Sequence, residues 1–268
     1  MRIVRINGRN VDPAQPALHV DDPLTRAGDG LIETMRARRG VVFRLERHLE
    51  RLDSSAQALR LAGLPRPEAI RAEIAAAVAE AGEGDLRVRV AVSTAPTLWV
   101  EAESVPPLPM DPSTATAITV PGAWRPDLFT AEHKTASRAM WAWADRLAED
   151  AGADAALLLD PAGRMGEATR ASVFVRTADE VRTAPAQGLR AGVGREVMLE
   201  FIPTVVQRAA EAPEWRTAEE VVMVSALHGV VAVTRIDGID VAGGSPGALA
   251  KGQQSAFRAL VDEETGGA

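Results

Sequence analysis

A chain of 268 residues with 46% hydrophobic and 25% charged residues has the size and mix of a globular protein with a large core, in one big domain or two modest ones. A formal net charge of -7 with no long basic run argues against a nucleic-acid surface, and no apolar stretch approaches the ~18 residues of a membrane span. The absence of cysteine excludes disulfides and thiolate chemistry and points to a cytoplasmic address, and four scattered histidines show no metal-site spacing.

In chain order, "RIVRI" alternates and Asn7-Gly8 is a favoured two-residue turn, so the chain opens as a β-hairpin. Leu45, Leu49, Leu52, Ala56 and Leu59 recur at three and four, which predicts a helix over about 44–62. A second helix, 66–82, follows Pro65 and stops at Gly82 and Gly84. Segments 86–94 and 97–104 read as strands. Residues 105–113, "VPPLPMDPS", hold too many prolines for a helix or a central strand and read as a linker. The expected organisation is a small N-terminal α/β domain over 1–104, a Pro-rich linker at 105–114 and a larger domain over 115–268.

The second half starts with strand 115–120 and an irregular stretch to about 133. A helix is expected over 135–150, with Ala139, Trp143 and Leu147 on its inner face. Strands 153–160, 171–177 and 180–184 follow, with Glu167 between strands. A long helix, 194–211, is expected to bend at Pro203, and strands 220–226 and 229–236 precede a last helix starting near Pro246. Strands outnumber helices in each half without regular alternation, so two α+β lobes fit better than a doubly wound sheet.

Lysine stands only at positions 134 and 251 among the 30 basic residues. A compositional drift toward arginine explains the rarity of lysine but not which lysine persists. Lysine can join a carbonyl cofactor as a Schiff base, and arginine cannot, because its guanidinium stays protonated. Taken alone, Lys134 reads as an ordinary surface residue at a helix start. Other segments add to it: "GDGLIETMRARRG" (28–40), "RHLERL" (47–52), "DPAGRMGEATRASVFV" (160–175), "GLRAGVGREVMLE" (188–200) and "VVMVSALHGVVAV" (221–233). The small residues at 191–194 stand at a helix start, where free amides and the helix dipole favour an anion.

Together and in this order, these segments resemble the class IV aminotransferase family, the fold type IV pyridoxal-phosphate (PLP) enzymes. The resemblance runs from "DDPLTRAGDG" to "VTRIDG". It implies a two-lobed α+β monomer that pairs into a homodimer, with pyridoxal 5′-phosphate between the lobes and a small-molecule amine as substrate. By the same resemblance, Lys134 matches the Schiff-base lysine and Glu167 the carboxylate facing the pyridine nitrogen, where it keeps the ring an electron sink. Arg51 matches the phosphate-binding arginine. Val193, Gly194, Ser225 and Ala226 match the rest of the phosphate cradle.

Departures from the pattern are informative. Gly194 stands where the family usually has threonine, and Ser172 where it commonly has asparagine; both imply looser cofactor binding. The chain has no tyrosine, so Ala139 replaces the one that many aminotransferases carry five residues after the lysine. The aminodeoxychorismate lyase branch typically lacks that tyrosine and often has arginine four residues after the lysine, where this chain has Arg138. The glycine-rich segment that supplies a substrate-carboxylate contact in some lyases is replaced by "TAPTLWV".

The leading expectation is a lyase that converts 4-amino-4-deoxychorismate to 4-aminobenzoate and pyruvate for folate synthesis. Lys134 would serve as acid and base, with Thr34 helping the second proton transfer. The alternative is an aminotransferase for branched-chain, D-amino or amine substrates, and a third reading is a cofactor-free binding scaffold.

Overall fold

The computed structural model describes residues 1–15 and 17–267. It forms two compact units: Met1–Pro107 with His133–Arg138 and Val261–Ala268, and Leu108–Glu132 with Ala139–Leu260.

In the first unit, β1 (Arg2–Ile6) and β2 (Arg9–Asn10) are joined at Asn7 and Gly8, which both take positive φ, as the tight hairpin turn requires. A short helix not foreseen from periodicity, α1 (Pro23–Ala27), is capped by Asp22, whose carboxylate accepts from Leu24 N at 2.8 Å; Gly28 ends it in the left-handed conformation. Then come β3 (Leu31–Arg38), β4 (Val41–Val42), α2 (Leu45–Ala58), α3 (Pro67–Ala81), β5 (Leu86–Val92) and β6 (Leu98–Ser104). The six strands form an antiparallel sheet in the order β2-β1-β6-β5-β3-β4. Alternation sends Leu31, Met35, Val88, Val90 and Val100 into a core shared with Leu49, Leu52, Ile70 and Ile74 of α2 and α3. The opposite face carries Ile32, Thr34, Arg36, Arg87, Arg89, Trp99 and Glu101.

The second unit contains β7 (Ser113–Val120), α4 (Ala139–Asp150), β8 (Ala155–Leu159), β9 (Met165–Ala168), β10 (Ser172–Arg176) and β11 (Val181–Thr183). It continues with α5 (Val193–Phe201), β12 (Val206–Gln207), α6 (Ala212–Arg216), β13 (Glu220–Ser225), β14 (Gly229–Ile236) and β15 (Ile239–Asp240). Last is α7 (Ala248–Glu264), whose residues from Val261 belong to the first unit. Its sheet runs β12-β11-β10-β13-β14-β7-β8-β9, and pairing of Ser172 with Glu167 joins β9 back to β10. Six strands thus close into a ring with Glu167 on the seam.

Several expectations are corrected. The helix expected from 135 starts at Ala139, and residues 134–136 instead lie alongside β3: Ile32 N donates to Lys134 O and Ala136 N to Gly30 O, each at 2.9 Å. Its inner face is Ala144 and Ala148, while Trp143 is exposed. The helix expected over 194–211 stops at Phe201. Pro203 offers no amide and pushes Ile202 out of helical geometry, and the chain turns into β12 and α6. Glu167 lies within a strand, not between strands. Among the described residues no helix is long and apolar enough to cross a membrane.

Buried Glu220 caps α7: its carboxylate accepts from Leu249 N at 2.9 Å and Ala250 N at 3.0 Å. Glu220→Ala leaves those amides unpaired, so a loss of about 2–4 kcal/mol is expected in urea unfolding, with Glu220→Gln losing roughly half as much. A loss below about 0.5 kcal/mol would count against the capping role.

Candidate active site

In the first unit Lys134 is half-buried and placed by the edge of β3. The bridge between Leu31 and Thr135, with the two hydrogen bonds flanking it, sets Lys134 opposite Ile32. The Gly-Asp-Gly turn makes this approach possible. Gly28 has φ +62°, and a Cβ on it would lie 3.1 Å from the Ser137 Cα; a Cβ on Gly30 would strike the Val92 carbonyl oxygen.

Next along β3, Glu33 points to α2. Arg51 grips it with a two-point pair, Nε to Oε1 at 2.9 Å and Nη2 to Oε2 at 2.6 Å, and His48 Nδ1 lies 2.8 Å from Oε2. Burial pushes the Glu33 carboxyl up, but Arg51 and His48 more than offset it and hold it well below the usual carboxylate range. His48 is held below its ordinary value, first by burial, with Glu33 opposing and Arg51 and Lys134 adding to the effect. Geometry gives the same direction. A carboxylate only accepts, so Nδ1 carries the hydrogen, and a second proton on Nε2, which is buried without a partner, would be an unpaired donor. Arg51, expected on a phosphate, is therefore also oriented by a buried carboxylate.

Thr34 is half-buried on the other sheet face, directly across from Arg89. Sequence reading overlooked Arg89, which looks like any charged residue in an alternating strand. Register puts it between Thr34 and Glu101, and its guanidinium lies 5.8 Å from the Trp99 ring centre. Glu101 pairs instead with Arg2 and Arg87, so among the described residues Arg89 has no carboxylate partner. Arg138 is half-buried and closes the 133–138 segment just before α4.

In the second unit Glu167 is buried on β9 and engaged at both oxygens: Trp141 Nε1 donates to Oε1 at 2.9 Å and Arg190 Nη2 to Oε2 at 2.6 Å. The start of α5 has Gly192 as N-cap with no side-chain cap, so the first-turn amides at Val193 and Gly194 lack intrahelical acceptors at the positive end of the dipole. Gly194 packs against the turn after β13, where a Cβ would lie 2.7 Å from Ser225 C and 3.0 Å from Ala226 N. Val193, Gly194, Ser225 and Ala226 are thus brought together. Ser172 sits beside them, 2.8 Å from where a Cβ on Gly192 would lie.

A family model for amino-transferase class IV matches residues 30–236. A Methanocaldococcus jannaschii protein, named provisionally a branched-chain-amino-acid aminotransferase, is 29% identical over 255 residues, 88% of each chain. A bifunctional aminodeoxychorismate lyase / D-amino acid transaminase of Mycobacterium tuberculosis is 36% identical over 115 residues, 39% of each chain. The fold matches a solved structure of a hypothetical aminotransferase from Mycobacterium tuberculosis in its PLP-bound form, with a TM-score of 0.83 and 23% identity over 98% of this chain and 99% of that one.

The Glu33–His48 pair predicts a pH dependence. Both folded-state values lie below the unfolded ones, so the unfolded chain takes up protons first on acidification and stability falls with pH. The His48 part sets in below its ordinary 6.5. The Glu33 part is lost only as pH falls from about 4.3 through its depressed folded value. Thermal melts should decline from about pH 7 to about 5, and less steeply in His48→Gln; an unchanged slope in that variant would refute the His48 assignment.

Proposed function

Because the chain belongs to the amino-transferase class IV family, we propose that it is a PLP enzyme that moves the amino group of an amino acid to a keto acid. The observation that carries this reading is Lys134, the one lysine among the motif residues, pinned by its backbone to β3. The remaining groups fit the cofactor chemically. A primary amine suits its aldehyde, a carboxylate its ring nitrogen, and an arginine with uncapped helix amides its phosphate.

In this reading Lys134 Nζ would hold the aldehyde carbon at rest and, once the substrate amine displaces it, would be free to take up the proton that leaves the substrate Cα. Glu167 would hold the ring nitrogen. Arg51, which Glu33 grips, and the amides of Val193, Gly194 and Ala226, with Ser225, would be the groups for the phosphate. When bound, PLP supplies the electron sink that makes the Cα proton removable. Arg89 takes the substrate carboxylate, a role that the missing glycine-rich segment leaves open, and Thr34 beside it orients that group. A homodimer is the working state that the family resemblance implies.

The relatives reverse the order of the two enzymatic readings. The one named for branched-chain transamination aligns over 88% of the chain, whereas the one that also names the lyase aligns over 39%. The lyase stays as a second reading on one observation: Arg138 four residues after Lys134, in a chain without tyrosine.

Purified protein incubated with PLP should gain a visible absorption band that borohydride bleaches as it fixes the cofactor onto Lys134, and Lys134→Arg should abolish both. Amino-group transfer to 2-oxoglutarate or pyruvate supports the leading reading; pyruvate release from aminodeoxychorismate without an acceptor supports the second. A protein that stays colourless refutes both. Arg89→Leu should raise KM for carboxylate substrates at least tenfold, the loss of a charge-assisted contact, with the absorption band intact.

A further inference from the structure

Arg195 is a buried cation without a counter-ion, at the end of a helix that disfavours a cation. Its Nη2 donates to the Ala184 carbonyl at 2.8 Å and to Gln207 Oε1 at 3.1 Å. Both acceptors are neutral, so they hold the side chain against the ends of β11 and β12 without cancelling its charge. Its Nε is buried with no partner, and among the described residues no carboxylate forms an ion pair with it. Burial holds the guanidinium below its ordinary value, and half-buried Glu196 opposes this only at a distance.

The position of Arg195 in α5 makes that charge costly. The first intrahelical bond runs from Glu196 N to Gly192 O at 2.9 Å, so Arg195 stands in the first turn, where the peptide dipoles already present positive charge. The amides of Val193, Gly194 and Arg195 have no helical acceptor, and Gly192 supplies no side-chain cap. Side chains lean toward a helix's N-terminus, and the Arg195 Cβ lies 3.6 Å from where a Cβ on Gly192 would stand. Three free amides and an uncompensated guanidinium therefore share one turn. A buried charge left unpaired is expensive, and what would balance this one is an anion at the helix start.

We infer that the anion held at the start of α5 is the counter-ion of Arg195, a positioning residue that acts through the charge of the first turn. Its effect is to make the site select a phosphate ester over the same molecule without its phosphate. The inference rests on the PLP reading for the identity of that ester. Free amides alone attract any acceptor, neutral or charged, whereas a fixed cation in a buried setting favours the group with the most negative charge. The lost hydroxyl at Gly194 is thereby offset by a charge that needs no direct contact.

Binding rather than turnover tests this. The full-length protein is titrated with PLP and with pyridoxal, which lacks the phosphate, by the visible band of each, with circular dichroism to check folding. Arg195→Gln removes the charge but keeps an amide donor, and Arg195→Lys keeps the charge. Arg195→Gln should weaken PLP about tenfold or more and leave pyridoxal within about twofold, while Arg195→Lys retains most of the PLP affinity. An equal loss for both ligands overturns the inference, since a structural role alone would produce it, and so does unchanged PLP affinity in a folded Arg195→Gln. A second measurement needs no variant: cofactor-free wild type should melt at a higher temperature in inorganic phosphate than in chloride of equal ionic strength. Equal melting temperatures in the two salts also overturn the inference. A phosphate shift in a protein that forms a band with neither PLP nor pyridoxal upholds the anion site and overturns the PLP reading.

Discussion

Two backbone hydrogen bonds on the free edge of β3 set the position of everything chemical in the first unit. Ile32 N–H to the Lys134 carbonyl and Ala136 N–H to the Gly30 carbonyl hold residues 134–136 as a short extra strand. Residues 134–136 run along β3 rather than in a helix, and α4 begins at Ala139. The same strand then presents Glu33 to α2 and Thr34 to the opposite face, since successive side chains alternate. One register therefore fixes the lysine, the carboxylate that orients Arg51, and the threonine beside Arg89. The Gly-Asp-Gly turn serves this register, because side chains on Gly28 or Gly30 would meet Ser137 or Val92.

Each unit also contains a buried arginine–carboxylate pair with a third, ring-bearing partner: Glu33 with Arg51 and His48, and Glu167 with Arg190 and Trp141. Buried pairs of this kind seldom add stability relative to well-packed apolar residues, because desolvation offsets the attraction. Their value is positional. A guanidinium held at two points by Glu33 cannot rotate freely, and a carboxylate bonded at both oxygens keeps one orientation. The two pairs differ in what they leave exposed to chemistry. In the proposed function the first pair offers its arginine to the ligand and the second its carboxylate.

Most strands and the helices α2 and α3 were legible because their apolar periods are clean, and the candidate site residues stood out because each belongs to a short local pattern. The misreadings share a physical cause, which is competition from partners distant in sequence. Residues 135–138 have helical spacing, but Thr135 bridges to Leu31 and the Ala136 amide donates to Gly30 O, so the segment starts out along β3. Residues 202–211 continue an apolar run, but Pro203 interrupts it and β12 finds a partner in β11. Ring closure rests on one pairing, Ser172 with Glu167, which no local pattern encodes. Arg89 and Arg190 were passed over for a related reason: in a chain so rich in arginine the residue type carries little information. Only the partner distinguishes a stacked or carboxylate-bound guanidinium from a solvated one.

The glycine at 194 takes on a different meaning once its surroundings are known. Read against the family pattern it is a lost hydroxyl and a looser phosphate site. In the fold, a Cβ there would come within 2.7 Å of the Ser225 carbonyl carbon, so a threonine could enter only if α5 and the turn after β13 moved apart. Glycine thus exchanges one side-chain donor for the close approach of two backbone segments. Amides from a helix start and from a neighbouring turn gain as donors when they converge on one anion, because their partial charges add at short range. The absence of the hydroxyl and the close approach go together at this position: a threonine placed at 194 alone would force the two segments apart.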